Sequence, residues 1–111
     1  MEPISLIVAA LVAGLTADAT EYTRPTALDG YQAFRARLWA KVEASEEAKV
    51  TFIALEKKPD SEGRQHSMKT ELVNLGVEKD GELIHLAQTL LQQLDQKGTQ
   101  SGKYLVNTED R

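Results

Sequence analysis

The chain has 111 residues, which suits one domain with a core of modest size. Its hydrophobic content of 41%, charged content of 27% and formal net charge of −4 are ordinary for a globular protein, without the basic excess that would point to nucleic acid. Cysteine is absent, which excludes a disulfide framework and a thiolate metal site and is compatible with a reducing cytoplasm.

The first feature along the chain is an uncharged stretch at residues 3–17, PISLIVAALVAGLTA. Pro3 suits the first turn of a helix because the backbone donor that it lacks would be unpaired there. Apolar residues lie all around this predicted helix, so we expect it to be buried in protein or in lipid. Its fifteen residues would reach about 22 Å, which is short against a hydrocarbon core of about 30 Å.

Three interpretations of this stretch are open. A secretory signal peptide fits the apolar length and the small residues Ala17 and Ala19, but no basic residue precedes the stretch. The second interpretation is a central helix that stays buried in a bundle. The third is a helix that is stored in a bundle and released into a membrane on activation. The last two predict the same resting fold.

A second helix is predicted after a polar connection. Thr26 and Asp29 have the spacing of a capping box, and we expect the helix to run to about Ala44. The residues expected on its core side are Leu28, Tyr31, Phe34 or Arg35, Leu38 and Val42, with Trp39 adjacent.

Three more helices are predicted from residue 45 onward. Residues 45–58 could be a strand at their centre on propensity alone, but with no partner strand we predict a helix that Pro59 stops. Met68 and Leu72 mark the next helix, which Gly76 closes. Asp80 is expected to cap the last helix, which Gly98 ends. The apolar stripe of that helix comprises Leu83, Leu86, Ala87, Leu90, Leu91 and Leu94.

These elements predict an all-α fold, a bundle of about four to five helices around the hydrophobic N-terminal helix. We expect residues 1–98 to form the bundle domain and residues 99–111 to be a flexible C-terminal tail.

No enzyme signature accompanies these helices. Glu82 and His85 have the Glu-x-x-His spacing of di-iron bundles, but such a site needs a second copy, and His66 has Gly63 at that offset. We therefore expect no catalytic residue, no metal site and no cofactor.

One charge asymmetry stands out between residues 21 and 42. This segment contains four basic residues and two acids. The basic residues form a candidate lipid-docking basic face, comprising Arg24, Arg35, Arg37 and Lys41. The alternative is an ordinary solvated helix face.

The two ends of the chain carry a family resemblance. Residues 1–15 (MEPISLIVAALVAGL), 82–95 (ELIHLAQTLLQQLD) and 102–107 (GKYLVN) resemble bacterial Bell domains. Bell domains are counterparts of the fungal HeLo and HELL domains and of the four-helix killer domain of the mixed-lineage kinase-like pseudokinase. Helix order and spacing resemble the family over nearly the whole chain.

The resemblance implies a cell-death effector that is cytoplasmic at rest and acts at the inner face of the cell membrane. On activation the chain would form a homo-oligomer, and its N-terminal helix would be released to permeabilise a membrane that contains anionic lipids. The membrane-active residues implied are Ile4, Leu6, Ile7, Val8, Leu11, Val12, Gly14 and Leu15.

Family members typically continue into an amyloid signalling motif that is templated by an NLR-type receptor, and residues 99–111 carry no such motif. The rival hypothesis is a soluble helical adaptor that binds a partner protein and whose first helix never leaves the core.

Overall fold

The computed structural model describes residues 2–17 and 25–94, with backbone alone for residues 25–27. The described residues form helices and no strands. The helices are α1 (Pro3–Thr16), α2 (Pro25–Val42), α3 (Glu46–Lys57), α4 (Glu62–Leu75) and α5 (Gly81–Leu94), with a short 3₁₀ turn at Val77–Lys79 before α5. The predicted all-α bundle is confirmed.

Local signals explain most helix boundaries. The Ser45 and Ser61 hydroxyls accept backbone hydrogen bonds from Ala48 and Arg64, each at 3.3 Å, and so cap α3 and α4. The Asp80 carboxylate accepts from the backbone N–H of Leu83 at 3.1 Å and caps α5, as predicted. Gly76 ends α4 at φ +73°, the left-handed conformation that only glycine adopts at little cost.

The predicted start of α2 is wrong. The helix begins at Pro25, so Thr26 lies inside it and is not its cap. A proline in the first helical position is favoured because its fixed φ already matches the helix and its missing donor is not needed. Leu28, which we expected to face the core, is partly exposed in the first turn of α2. The predicted helix end at Gly98 and the tail lie outside the described residues.

The helices pack in a ring that does not follow chain order. α1 lies between α5 and α4; α2 packs mainly against α5, and α3 mainly against α4, with smaller contacts of α2 to α3 and α4. The predicted apolar stripe of α5 is confirmed: Leu86 is partly buried and its other members are buried in the core. In the described part of the chain no polar or charged residue is fully buried, so apolar packing alone fills the interior.

Candidate functional site

The helix α1 is the candidate functional element, and each of its residues from Ile4 to Leu15 is buried or partly buried. The buried residues of the predicted membrane-active set are Ile4, Leu6, Ile7, Val8, Leu11 and Gly14, whereas Val12 and Leu15 are partly buried. A second stripe of the helix is partly buried and includes the small residues Ser5, Ala9 and Ala13. Within the described residues, the main contacts of α1 are with α5, α4 and the 3₁₀ turn.

The side chains of Glu2 and Thr16, at the two ends of α1, make no bond to another described helix. Its N-cap residue, Glu2, makes no side-chain cap bond, and the Thr16 hydroxyl donates to the Val12 carbonyl of its own helix at 2.8 Å. Within residues 2–17 and 25–94, no side chain of α1 forms an ion pair or hydrogen bond with another helix. The side-chain contacts that attach this helix to the described bundle are apolar.

Ion pairs and charged hydrogen bonds join α2 to the start of α5. Arg37 donates to both carboxylate oxygens of Asp80, with Nε at 3.2 and 3.0 Å and Nη2 at 3.0 Å. The Lys41 ammonium lies 3.5 Å from Asp80 Oδ2, and Arg37 Nη1 lies 3.6 Å from a carboxylate oxygen of Glu82. We call Arg37, Lys41, Asp80 and Glu82 the α2–α5 clasp.

Asp80 is the centre of this clasp. Its side chain is only 8% exposed, and it receives bonds from Arg37 and from the start of α5. The hydrogen bonds from Arg37, together with the backbone bond from Leu83 and the charges of Arg37 and Lys41, lower the pKa of Asp80 to about 2. The carboxylate therefore stays ionised across the physiological pH range.

A further polar joint links α2 to α3. Arg35 contacts Glu56 Oε2 through Nε at 2.9 Å and Nη2 at 2.8 Å. The Arg35 guanidinium also lies over the rings of Trp39 and Phe52, at 5.9 and 5.2 Å from their centroids, and these two rings pack edge to face. Burial raises the pKa of Tyr31, and the nearby Arg35 opposes that rise.

The candidate basic face is balanced by acids. Arg35, Arg37 and Lys41 each form an ion pair with Glu56, Asp80 or Glu82, and Arg24 lies outside the described residues. These acidic partners were not identified from sequence, because Asp80 lies 43 residues from Arg37 and no local pattern joins them. A lipid-docking role for the basic residues stays a prediction.

The described residues include neither a candidate membrane-spanning helix nor a candidate metal site. None of the helices there combines the length and apolar content that crossing a bilayer requires. In the same residues, no group of three or more acidic or histidine side chains is arranged to hold a metal ion. His66 and His85 are both exposed on the surface.

The fold and the candidate element define a helical-bundle domain with a buried apolar N-terminal helix. Over residues 1–110 the sequence matches the family model of the Het-E N-terminal domain, and the chain belongs to that family. It is a HeLo-related family of fungal cell-death domains, with a signalling role rather than a catalytic one. Comparison with curated proteins and with solved structures finds no significant match. The match supports the predicted relationship of this chain to the wider group of HeLo-related cell-death domains.

Proposed function

We propose that this domain is a membrane-targeting cell-death effector whose helix α1 is released from the bundle into a membrane on activation. The observation that carries the proposal is the apolar contact between α1 and the rest of the bundle. α1 buries large apolar side chains against the other described helices. Apolar contacts with protein can be exchanged for contacts with lipid chains, whereas ion pairs cannot.

The same burial explains why α1 would stay in the bundle in water. Exposing a large apolar side chain costs about 1.5 to 3 kcal/mol. For the five large residues buried on α1 the cost is about 8 to 15 kcal/mol, comparable to the whole stability of a small domain. Those residues are Ile4, Leu6, Ile7, Val8 and Leu11. Release without a receiving bilayer is therefore strongly unfavourable, which makes the membrane itself part of the switch.

The dimensions of α1 limit how it could act in a bilayer. Its fourteen residues span about 21 Å, against about 30 Å of hydrocarbon. Permeabilisation would therefore need local thinning of the bilayer or several copies acting together. We propose that anionic lipid headgroups assist by competing with Glu56 and Asp80 for Arg35 and Arg37 once the bundle opens.

Clustering is the trigger that we propose. Held together, several chains would have a high effective concentration at one patch of membrane. We propose that an NLR-type receptor in the cytoplasm clusters the chains through an amyloid motif outside the present sequence. The clustered chains would then act at the inner face of the membrane.

Within the wider family, residues 1–15 and 82–95 lead us to propose a relationship to the bacterial Bell domains.

A second candidate function is a helical adaptor whose first helix never leaves the core. The observation in its favour is that α1 residues belong to the same buried cluster as residues of every other helix. Removal of α1 would open that cluster, and for the same reason a chain lacking residues 1–17 is a poor control for membrane activity.

Dye leakage from anionic liposomes, with the chain clustered by a C-terminal oligomerising tag, distinguishes the two candidates. We expect the tagged chain to cause leakage and a Val12→Glu variant to cause little or none. Val12 is only partly buried, so a charge there blocks entry into lipid while the bundle can still fold. The matched control is Val73→Glu, an equally sized change on an exposed valine of α4.

Circular dichroism checks that both variants remain helical. Leakage by the tagged chain and by Val73→Glu, but not by Val12→Glu, supports the effector. If the clustered chain leaves the liposomes intact, or if Val12→Glu leaks as well as the parent, the effector hypothesis fails and the adaptor is favoured.

A further inference from the structure

The outward face of α3 carries an ordered stripe of exposed residues. Glu46, Val50, Ile53 and Lys57 follow at intervals of four, three and four residues, which places them along one side of the helix. Val50 is 63% exposed and Ile53 is 45% exposed, among the few large apolar residues on the described surface. We call these four residues the α3 stripe.

The α3 stripe is self-complementary about its midpoint. The midpoint of Val50 and Ile53 lies between Thr51 and Phe52, and so does the midpoint of Glu46 and Lys57. If two copies of α3 pack antiparallel about a two-fold axis through that point, each Glu46 lies opposite the partner subunit's Lys57. Each Val50 then lies opposite the partner subunit's Ile53. A two-fold interface requires this kind of pattern, because the same patch must fit itself.

The ends of the stripe have opposite charge. At one end Glu46, Glu47 and Glu71 line a shallow surface hollow together with Val50 and Thr51. At the other end Lys57 and Lys58 are exposed, and neither forms an ion pair within the described residues. Glu46 makes one local pair with Lys49 at 3.0 Å and its side chain is largely exposed, so it is accessible to a second partner.

We propose that the α3 stripe is a homotypic surface at which two copies of this chain pair antiparallel. Charge complementarity and the matched spacing favour a second copy over an unrelated partner. A twelve-residue helix is only about 18 Å long, so the pair falls well below the size of a stable interface and the dimer is weak and transient. The proposal is independent of the proposed membrane activity, because pairing can be measured without lipid.

Sedimentation analysis of the full chain over a range of concentrations tests the pairing. We expect a weak monomer–dimer equilibrium for the parent chain. Glu46→Lys and Lys57→Glu each replace two attractive pairs with two like-charge pairs, so each variant alone should show a Kd raised about tenfold. When the two variants are mixed in equal amounts, both charge pairs are restored in the heterodimer, and association should return to the parent level.

Matched controls separate the α3 stripe from general charge effects. Glu43→Lys and Lys79→Glu make the same charge changes at exposed positions off the stripe, and should leave the Kd unchanged. Ile53→Ser should weaken association by removing the apolar centre, whereas Val73→Ser on α4 should not.

Circular dichroism confirms that each variant is folded. The restored association of the mixture cannot come from loss of structure in either variant. Each of three results would overturn the proposal. They are a parent chain that stays monomeric at about 1 mM, a dimer Kd that neither charge reversal changes, and a mixture of the two variants that fails to associate.

Discussion

Helices α1 and α2 both pack against α5, yet they are attached by different forces. The side chains of α1 contact the other described helices through apolar groups, whereas α2 is joined to α5 by the α2–α5 clasp and to α3 through Arg35. Apolar contacts are non-directional, whereas hydrogen-bonded ion pairs fix the relative position of two helices. The molecule thus combines a helix attached mainly by apolar side chains with helices that are also joined by ion pairs.

The largest expected effect comes from weakening the apolar attachment. Leu11→Ala removes a fully buried side chain from α1 and should lower the free energy of unfolding by about 2 to 5 kcal/mol. Val12→Ala, one position along on the partly buried side, should cost less than about 1 kcal/mol. Urea denaturation followed by circular dichroism measures both. Equal losses at the two positions would contradict the deeper burial of Leu11.

The next effect comes from breaking the α2–α5 clasp. Asp80→Ala removes both the cap of α5 and the partner of Arg37, and should cost about 2 kcal/mol. Asp80→Asn keeps a good capping group but loses the charge, and should cost about 1 kcal/mol once solvent screening around the partly exposed Arg37 is allowed for. The same unfolding measurement applies, and no difference between the variants would show that the cap adds nothing.

The clasp should also respond to acid in a defined direction. The pKa of Asp80 is about 2 in the folded chain, below its ordinary value of 3.8, so the ionised carboxylate stabilises the fold at neutral pH. That contribution is present above about pH 5 and is lost as the pH falls through 4 toward 2. The stability difference between the parent chain and Asp80→Asn should therefore shrink over this range in urea titrations. A difference that stays constant down to pH 2 would exclude a charge origin.

The smallest expected effect is at the crossing of α2 and α5. A Cβ atom at Gly30 would lie 2.5 Å from Gln93 Oε1, so alanine there forces the end of that side chain to move. Alanine also favours the helix by about 1 kcal/mol, and Gly30→Ala should change stability by less than about 0.5 kcal/mol. Gly30→Ala combined with Gln93→Ala should be more stable than Gly30→Ala alone. Thermal unfolding measures the stability of the two variants. If the double variant is the less stable one, crowding by backbone atoms opposes a side chain at residue 30.

Local features of the structure were predictable from sequence because they depend on neighbouring residues. The caps at Asp80 and Gly76, the stop at Pro59 and the apolar stripe of α5 all follow from spacing within one or two turns. The first turn of α2 was mispredicted because Thr26 offered a capping pattern while Pro25 offered a helix start, and proline in the first position was favoured.

Long-range features were not predictable from one sequence. The pairing of Arg37 with Asp80 joins residues far apart in the chain, and only the packed helices bring them together. The side of α1 that is most deeply buried is equally hidden, because a helix that is apolar all round gives no indication of which side its neighbours cover best. The acidic partners of Arg35 and Arg37 were hidden for the same reason, since they come from α3, α5 and the turn before α5.

The position of α1 between α5 and α4 has a consequence for biosynthesis. α1 is made first and α5, its main packing partner, is made last among the described helices. At about 5 to 20 residues per second, a ribosome needs several seconds to pass from the end of α1 to the end of α5. During that interval the most apolar segment of the chain has no completed core to enter. Translation thus creates a period in which nascent α1 is open to chaperones or to a nearby bilayer.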